Sequence, residues 1–237
     1  MNNPSTVNCN DPPVVVCDWK LPDDYEKEVM NYLYYPVKLN VRTLRYCQFP
    51  EDSVYEKRLD PFVKLIEKAF QYEVQRGMGM DDLAERYVYL TAKTMYVGPG
   101  ITGNRPGWHC DGFGTDDITH VWCDSSPTLF SRGQFNNITN DHNESLKQFD
   151  EIAEANEQYE VGVNKLVRLT VGTVRHTPKV WVPALRTFVK ISFSRYKYNL
   201  AGNTRNYNLD YKWKMYQRSE IRNDVTYANT DYGPQED

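Results

Sequence analysis

The chain has 237 residues, 40% of them hydrophobic and 14% aromatic, enough for one large domain or for one domain with appendages. Its formal net charge of −4 argues against a general polyphosphate-binding surface and leaves room only for a local basic groove. No apolar run approaches the roughly 20 residues that span a bilayer, and the polar N-terminus has no signal-like apolar core. The reading is a cytoplasmic protein with no membrane partner. The five cysteines, Cys9, Cys17, Cys47, Cys110 and Cys123, show no CxxC pair or zinc-ribbon spacing, which fits reduced thiols.

Residues 1–13, rich in Asn, Pro, Ser and Thr, read as an unstructured lead-in. Val14-Val15-Val16 predicts a short strand. Pro22 followed by Asp23 and Asp24 is a helix-start signal. Tyr25, Val29 and Leu33 then recur every fourth residue, predicting an amphipathic helix of about three turns. Val37, Leu39 and Val41 alternate as in a strand. Asp60-Pro61 opens a second helix, with Phe62, Leu65, Ile66, Ala69 and Phe70 as its apolar stripe and Gly77 and Gly79 at its end.

From Tyr87 the pattern becomes β-rich, with Val88, Leu90 and Ala92 on one face of a strand over 87–97. A glycine-rich loop over 98–107 leads to Trp108-His109-Cys110-Asp111-Gly112-Phe113. Strands are predicted over 118–122, 165–171, 173–182 and 186–198, and a helix over 145–158. The polar segment 199–237 reads as a surface arm or disordered tail. The division is thus 1–86 (lead-in and helices), 87–198 (β core) and 199–237 (arm), within one structural domain. Two early helices followed by many short strands predict a mainly β fold with flanking helices, an α+β sandwich or barrel.

His109-x-Asp111 places two metal-ligating groups on one side of an extended segment. A distant third ligand, His176, would complete the facial arrangement of two histidines and one carboxylate that suits non-haem iron. His120 and His142 compete poorly, one in a predicted strand and the other in a polar loop. On the last strand Arg186, Phe188, Lys190, Ser192 and Ser194 share a face by alternation. Two cations on an interior face are costly unless an anion meets them, and a planar Arg fork matches a carboxylate.

The order His-x-Asp, distant His, then a basic residue about ten positions on resembles the Fe(II)/2-oxoglutarate-dependent dioxygenases over residues 87–198. The resemblance implies a double-stranded β-helix (jelly-roll or cupin-like) core. It implies Fe(II) on His109, Asp111 and His176, and 2-oxoglutarate as co-substrate on Arg186 with Lys190 as its rival. Ser192, Tyr96 and Thr94 are further co-substrate candidates. The implied reaction couples decarboxylation of 2-oxoglutarate to oxidation of a substrate, foremost hydroxylation. Residues near the motif, Arg105, Trp108, Phe113, Asp116, Asp117 and Trp122, are the substrate candidates, together with Asp124. The substrate is expected to be a small molecule, with nucleic acid or protein left open, and the arm is a candidate homodimer contact. Its interleaved basic and aromatic residues also admit a single-stranded nucleic acid. The alternatives are a cupin-type metal isomerase or hydrolase without 2-oxoglutarate, and a non-catalytic barrel with a binding or structural role.

Overall fold

A computed structural model describes residues 6–38, 55–104, 106–112 and 115–217. In chain order these contain β1 (Thr6–Val7), β2 (Val14–Asp18), β3 (Met30–Lys38), α1 (Asp60–Gln75), α2 (Met80–Ala84) and β4 (Tyr87–Val97). They continue with β5 (Ile118–Cys123), β6 (Leu129–Ser131), β7 (Ile138–Thr139), α3 (His142–Glu154), β8 (Gln158–Glu160), β9 (Lys165–Leu169), β10 (Arg175–His176) and β11 (Ala184–Ser194). The fold is mainly β with a few helices, of the α+β class.

A six-stranded antiparallel sheet runs β2-β9-β5-β11-β4-β3, and a three-stranded one runs β10-β6-β8. An isolated bridge between His109 and Arg175 extends the smaller sheet by one residue pair. The period of two divides the apolar residues into layers. Val189, Ile191 and Phe193 of β11 pack with Val88, Leu90 and Ala92 of β4 and the apolar stripe of α1. On the opposite face of the large sheet, Val121, Val167 and Phe188 meet Phe130 of the small sheet. The outer face of the small sheet carries Trp108, Leu129 and Val174 against Phe149 and Ala153 of α3. Four layers result, α1, large sheet, small sheet and α3, and the interior lies between the two sheets.

The α1 helix begins where Asp60-Pro61 places it, led in by a 3-10 turn at Lys57–Leu59. It ends at Gln75, and Gly77 just beyond takes φ +94°, a left-handed conformation that glycine adopts without a Cβ clash. The predicted helix over Tyr25–Leu33 is corrected: the chain is irregular to Val29 and then forms β3. The run Tyr32-Leu33-Tyr34-Tyr35 favours a strand, and Pro36 is tolerated because β3 is an edge of the sheet. Leu39 and Val41 lie outside the described residues. β1, β6, β7 and β8 are three residues or shorter and leave no readable alternation.

Two expectations about the ends change. The lead-in is tied down: β1 pairs with β7, and Cys9 is buried. The strands β2 and β3 belong to the large sheet, so a boundary at residue 87 runs through it. Residues 199–217 fold back onto β3 rather than trailing away. Thr204 N donates to Leu33 O at 2.8 Å, and fully buried Asn206 donates its amide to Pro36 O at 2.8 Å. Asn206→Ala leaves that buried carbonyl without its donor. We expect a loss of about 1–3 kcal/mol in a urea melt, whereas a merely decorative arm predicts no change. No described helix is long and apolar enough to cross a membrane.

Candidate functional site

A cavity of about 350 Å³ opens at one end of the interior, between the His109–Gly112 segment, β4, β10, β11 and α3. Its size sits at the low end of small-molecule sites. Its charged lining is Lys93, Asp111, Arg175 and Lys190, with His109 beside them. Thr91 and Phe188 also line it. Gly112 turns the chain immediately after Asp111 at φ +64°, where an added Cβ would lie 2.8 Å from Thr115 Oγ1. Only glycine closes that turn without a shift.

Asp111 is the centre of charge. Its Oδ2 accepts from Arg175 Nη2 at 2.5 Å and lies 3.4 Å from Lys190 Nζ. Burial pushes the carboxyl up, but Arg175 and Lys190 outweigh it and hold Asp111 well below the usual carboxylate range. Burial lowers the Lys190 ammonium, and Asp111 and Tyr34 more than restore it. Lys190 Nζ also stands 3.3 Å from Tyr34 Oη and 4.7 Å above its ring. Tyr34 is held at φ +49°, an uncommon conformation for an aromatic residue, with its N–H donating to Thr91 Oγ1 at 3.1 Å. Burial and then the Arg175 charge lower His109 to about 4, so the ring is neutral at pH 7. Its Nδ1 lies 2.9 Å from Gly107 O, which assigns the proton there and leaves the Nε2 lone pair toward Asp111.

His109 Nε2 and Asp111 Oδ1 are 3.8 Å apart. Two donors at that spacing can share one cation at bonds of about 2.1 Å. The expected third ligand is elsewhere. Arg175 pairs with Phe130 and with His109, which places it on the inner face, whereas His176 pairs with Leu129 on the outer face. His176 packs on Trp108 with ring centroids 5.1 Å apart, and its Nδ1 lies 2.7 Å from Thr177 O. Neighbouring residues of a strand face opposite ways, so Val174 and His176 point outward together, whereas Arg175 and Thr177 line the site. Among the described residues no three His, Cys, Asp or Glu side chains converge as a metal site. The donor set in this arrangement does not fit an iron held by His109, Asp111 and His176.

The other candidates separate by strand parity. Lys190 lines the cavity. Arg186 shares its face but lies deeper, where its Nε donates to Ser125 O and Ser126 O at 3.0 and 3.1 Å. Ser192 is buried on the same face away from the cavity. Thr94 and Tyr96 are corrected: both lie on the opposite face of β4, with Thr94 buried on Thr187 Oγ1 at 3.1 Å and Tyr96 73% exposed. The inward residues of β4 are Thr91 and Lys93.

Among the substrate candidates, Trp108 belongs to the core under α3. Trp122 belongs to the core under α1, with its indole N–H on Trp19 O at 2.9 Å. Asp116 is a surface partner of Arg86 at 2.8 Å. Asp117 is buried and accepts from Tyr198 Oη at 2.5 Å, and burial raises its carboxyl. None of these four lines the cavity. Asp124, directly after β5, accepts from Thr187 N at 2.9 Å and pairs with Lys27 at 2.8 Å. Arg105 and Phe113 lie outside the described residues. Arg175, missed from sequence, stands directly before the predicted metal histidine.

A second cavity of about 320 Å³ lies across Tyr34, which lines both. Its walls include Tyr198, Arg205, Tyr211 and Trp213. The aromatic residues of the arm engage one another and the sheet: Trp213 packs edge-on against Tyr87 of β4 at 5.5 Å, and Tyr211 packs on Trp213 at 4.6 Å.

No family model and no curated protein matches this chain. Solved structures offer distant likenesses. AviO1 from Streptomyces viridochromogenes Tue57 aligns with a TM-score of 0.35 and 11% identity, over 82% of this chain and 75% of that one. EvdMO1 aligns with a TM-score of 0.33 and 12% identity, over 75% of this chain and 38% of that one. The chain therefore spans well under half the length of EvdMO1.

Proposed function

We propose that this chain is a double-stranded β-helix protein of the Fe(II)/2-oxoglutarate oxygenase kind, whose barrel cavity takes the dicarboxylate. One observation carries the reading: His109 and Asp111 line the same end of the interior as Lys190 on the closing strand. The strand order supports it. From β4 onward the chain places β4, β5, β9 and β11 in the large sheet, and the His109 bridge, β6, β8 and β10 in the small one. The last strand, β11, closes the large sheet between β4 and β5. Lys190, not Arg186, is the anchor in this reading, because Arg186 spends its Nε on backbone carbonyls.

Iron is the part of the reading that the donor set leaves short, with two ligands facing the cavity and a guanidinium on the carboxylate. What this chain supplies is a buried, partly apolar site that binds and orients an anion and excludes water from it. Oxidation is the reaction that the family resemblance attaches to such a site. The test is succinate formation from 2-oxoglutarate by purified chain, with and without added Fe(II) under air. Iron-dependent succinate that vanishes in Asp111→Ala would bear out the oxygenase reading and would mean that iron completes its ligand set without His176. No succinate and no stoichiometric iron uptake would leave a non-catalytic binding barrel.

A further inference from the structure

We propose that the cavity binds a small dicarboxylate without any metal, with Arg175 supplying the positive charge that a bound cation would otherwise provide beside Asp111. The inference rests on the reading above for the ligand class and departs from it on the metal. Arg175 and Lys190 are 9% and 7% exposed, and both direct their charge at Asp111 Oδ2. One carboxylate cannot neutralise two buried cations, so the pair is left one negative charge short. Buried charge without compensation is costly, and an anionic ligand is the compensation available in an open cavity.

Hydrogen bonding points the same way. Arg175 spends one Nη on Asp111, while its buried Nε has no partner in the protein. Buried donors of charged groups are normally satisfied, so an orphaned guanidinium nitrogen on a residue that lines an open cavity marks the place of an acceptor-rich group. A dicarboxylate offers four oxygens. One carboxylate meets Arg175 and Lys190, and the other reaches toward Lys93, which also lines the cavity. Asp111 stays in place as the group that fixes the two cations.

The chemistry yields a discriminating probe. A 2-oxo group adds affinity when it chelates a metal and adds little when a guanidinium does the binding. Calorimetric titration of the full chain in EDTA with 2-oxoglutarate, and separately with glutarate, reads this directly. The two ligands are expected to bind one equivalent each, with affinities within about threefold. Arg175→Gln is expected to weaken both by roughly 10- to 100-fold, and Lys190→Met to act similarly. Arg132→Gln, on the surface with Glu157, leaves both unchanged. Arg175→Lys and a thermal melt of each variant separate lost binding from lost folding.

Binding of 2-oxoglutarate only in the presence of Fe(II) would overturn the inference and leave the oxygenase reading standing. Metal-free binding that Arg175→Gln does not weaken would overturn it as well. Absence of binding with and without Fe(II) would overturn the dicarboxylate reading and this inference together.

Discussion

Glu73→Ala is expected to destabilise the protein by about 3–5 kcal/mol, the cost of stranding one side of a buried charged pair. Glu73 sits on the inward face of α1 and is 1% exposed. Its Oε1 accepts from Arg168 Nε on β9 at 2.7 Å. It also lies 3.0 Å from His120 Nε2 on β5, off the line of a ring N–H bond. The carboxylate thus ties the helix to two strands of the large sheet. A loss of that size corresponds to a fall of roughly 6–20 °C in Tm for a chain of this length. Glu73→Gln keeps an acceptor for Arg168 and is expected to cost less. A thermal melt of both variants checks the order, and equal small losses would show that the pair contributes packing alone.

The same cluster gives stability a pH dependence. Burial lowers His120 below its ordinary 6.5, so the folded state holds it neutral while the unfolded chain takes up a proton. Burial raises Glu73, but His120 and Arg168 outweigh it and keep its pKa below the ordinary 4.5. The unfolded state therefore binds more protons at both groups, and stability falls as pH drops below 6.5 and further below 4.5. In Glu73→Ala the second decline is expected to shrink. Melts at pH 7, 5.5 and 4 compare the two chains, and parallel curves would contradict the assignment.

Asp111→Asn is expected to have an effect of opposite sign on stability and on anion binding. The change removes the one carboxylate facing Arg175 and Lys190 and keeps its shape, so two buried cations lose their partner. A loss of about 3–5 kcal/mol follows for the ligand-free protein. An incoming dianion no longer meets a like charge a few ångströms away, so metal-free affinity for 2-oxoglutarate is expected to rise about tenfold. Ligand binding then restores part of the lost stability by mass action. A melt with and without 2-oxoglutarate reads both, and weaker metal-free binding by the variant would contradict the repulsion argued here.

The long strands were legible in the sequence because eleven residues show their alternation. Val88, Leu90 and Ala92 mark the helix-facing side of β4, and Arg186 to Ser194 mark the interior side of β11. That alternation also held the signal that places Thr94 and Tyr96 outside, since they share the parity of Ala92. β10 offered no such signal. It has two residues, and only its pairing to Phe130 and Leu129 decides which of Arg175 and His176 turns inward. A shift of one residue reverses every side chain of a strand, so a motif read as His-x-Asp plus a distant His depends on a register that local sequence does not carry. Val174, apolar and two residues before His176, is the one local hint that this parity faces a core. The four-residue spacing of Tyr25, Val29 and Leu33 misled in the other direction, because β-forming tyrosines and an edge of the sheet outweighed it.

If a small dicarboxylate occupies the cavity between Arg175 and Lys190, a crystal structure of the full chain grown with 2-oxoglutarate and EDTA shows a carboxylate of the ligand within hydrogen-bond distance of both side chains, beside an unchanged Asp111. An empty cavity, or a ligand bound only at a site that touches neither side chain, would contradict that occupancy.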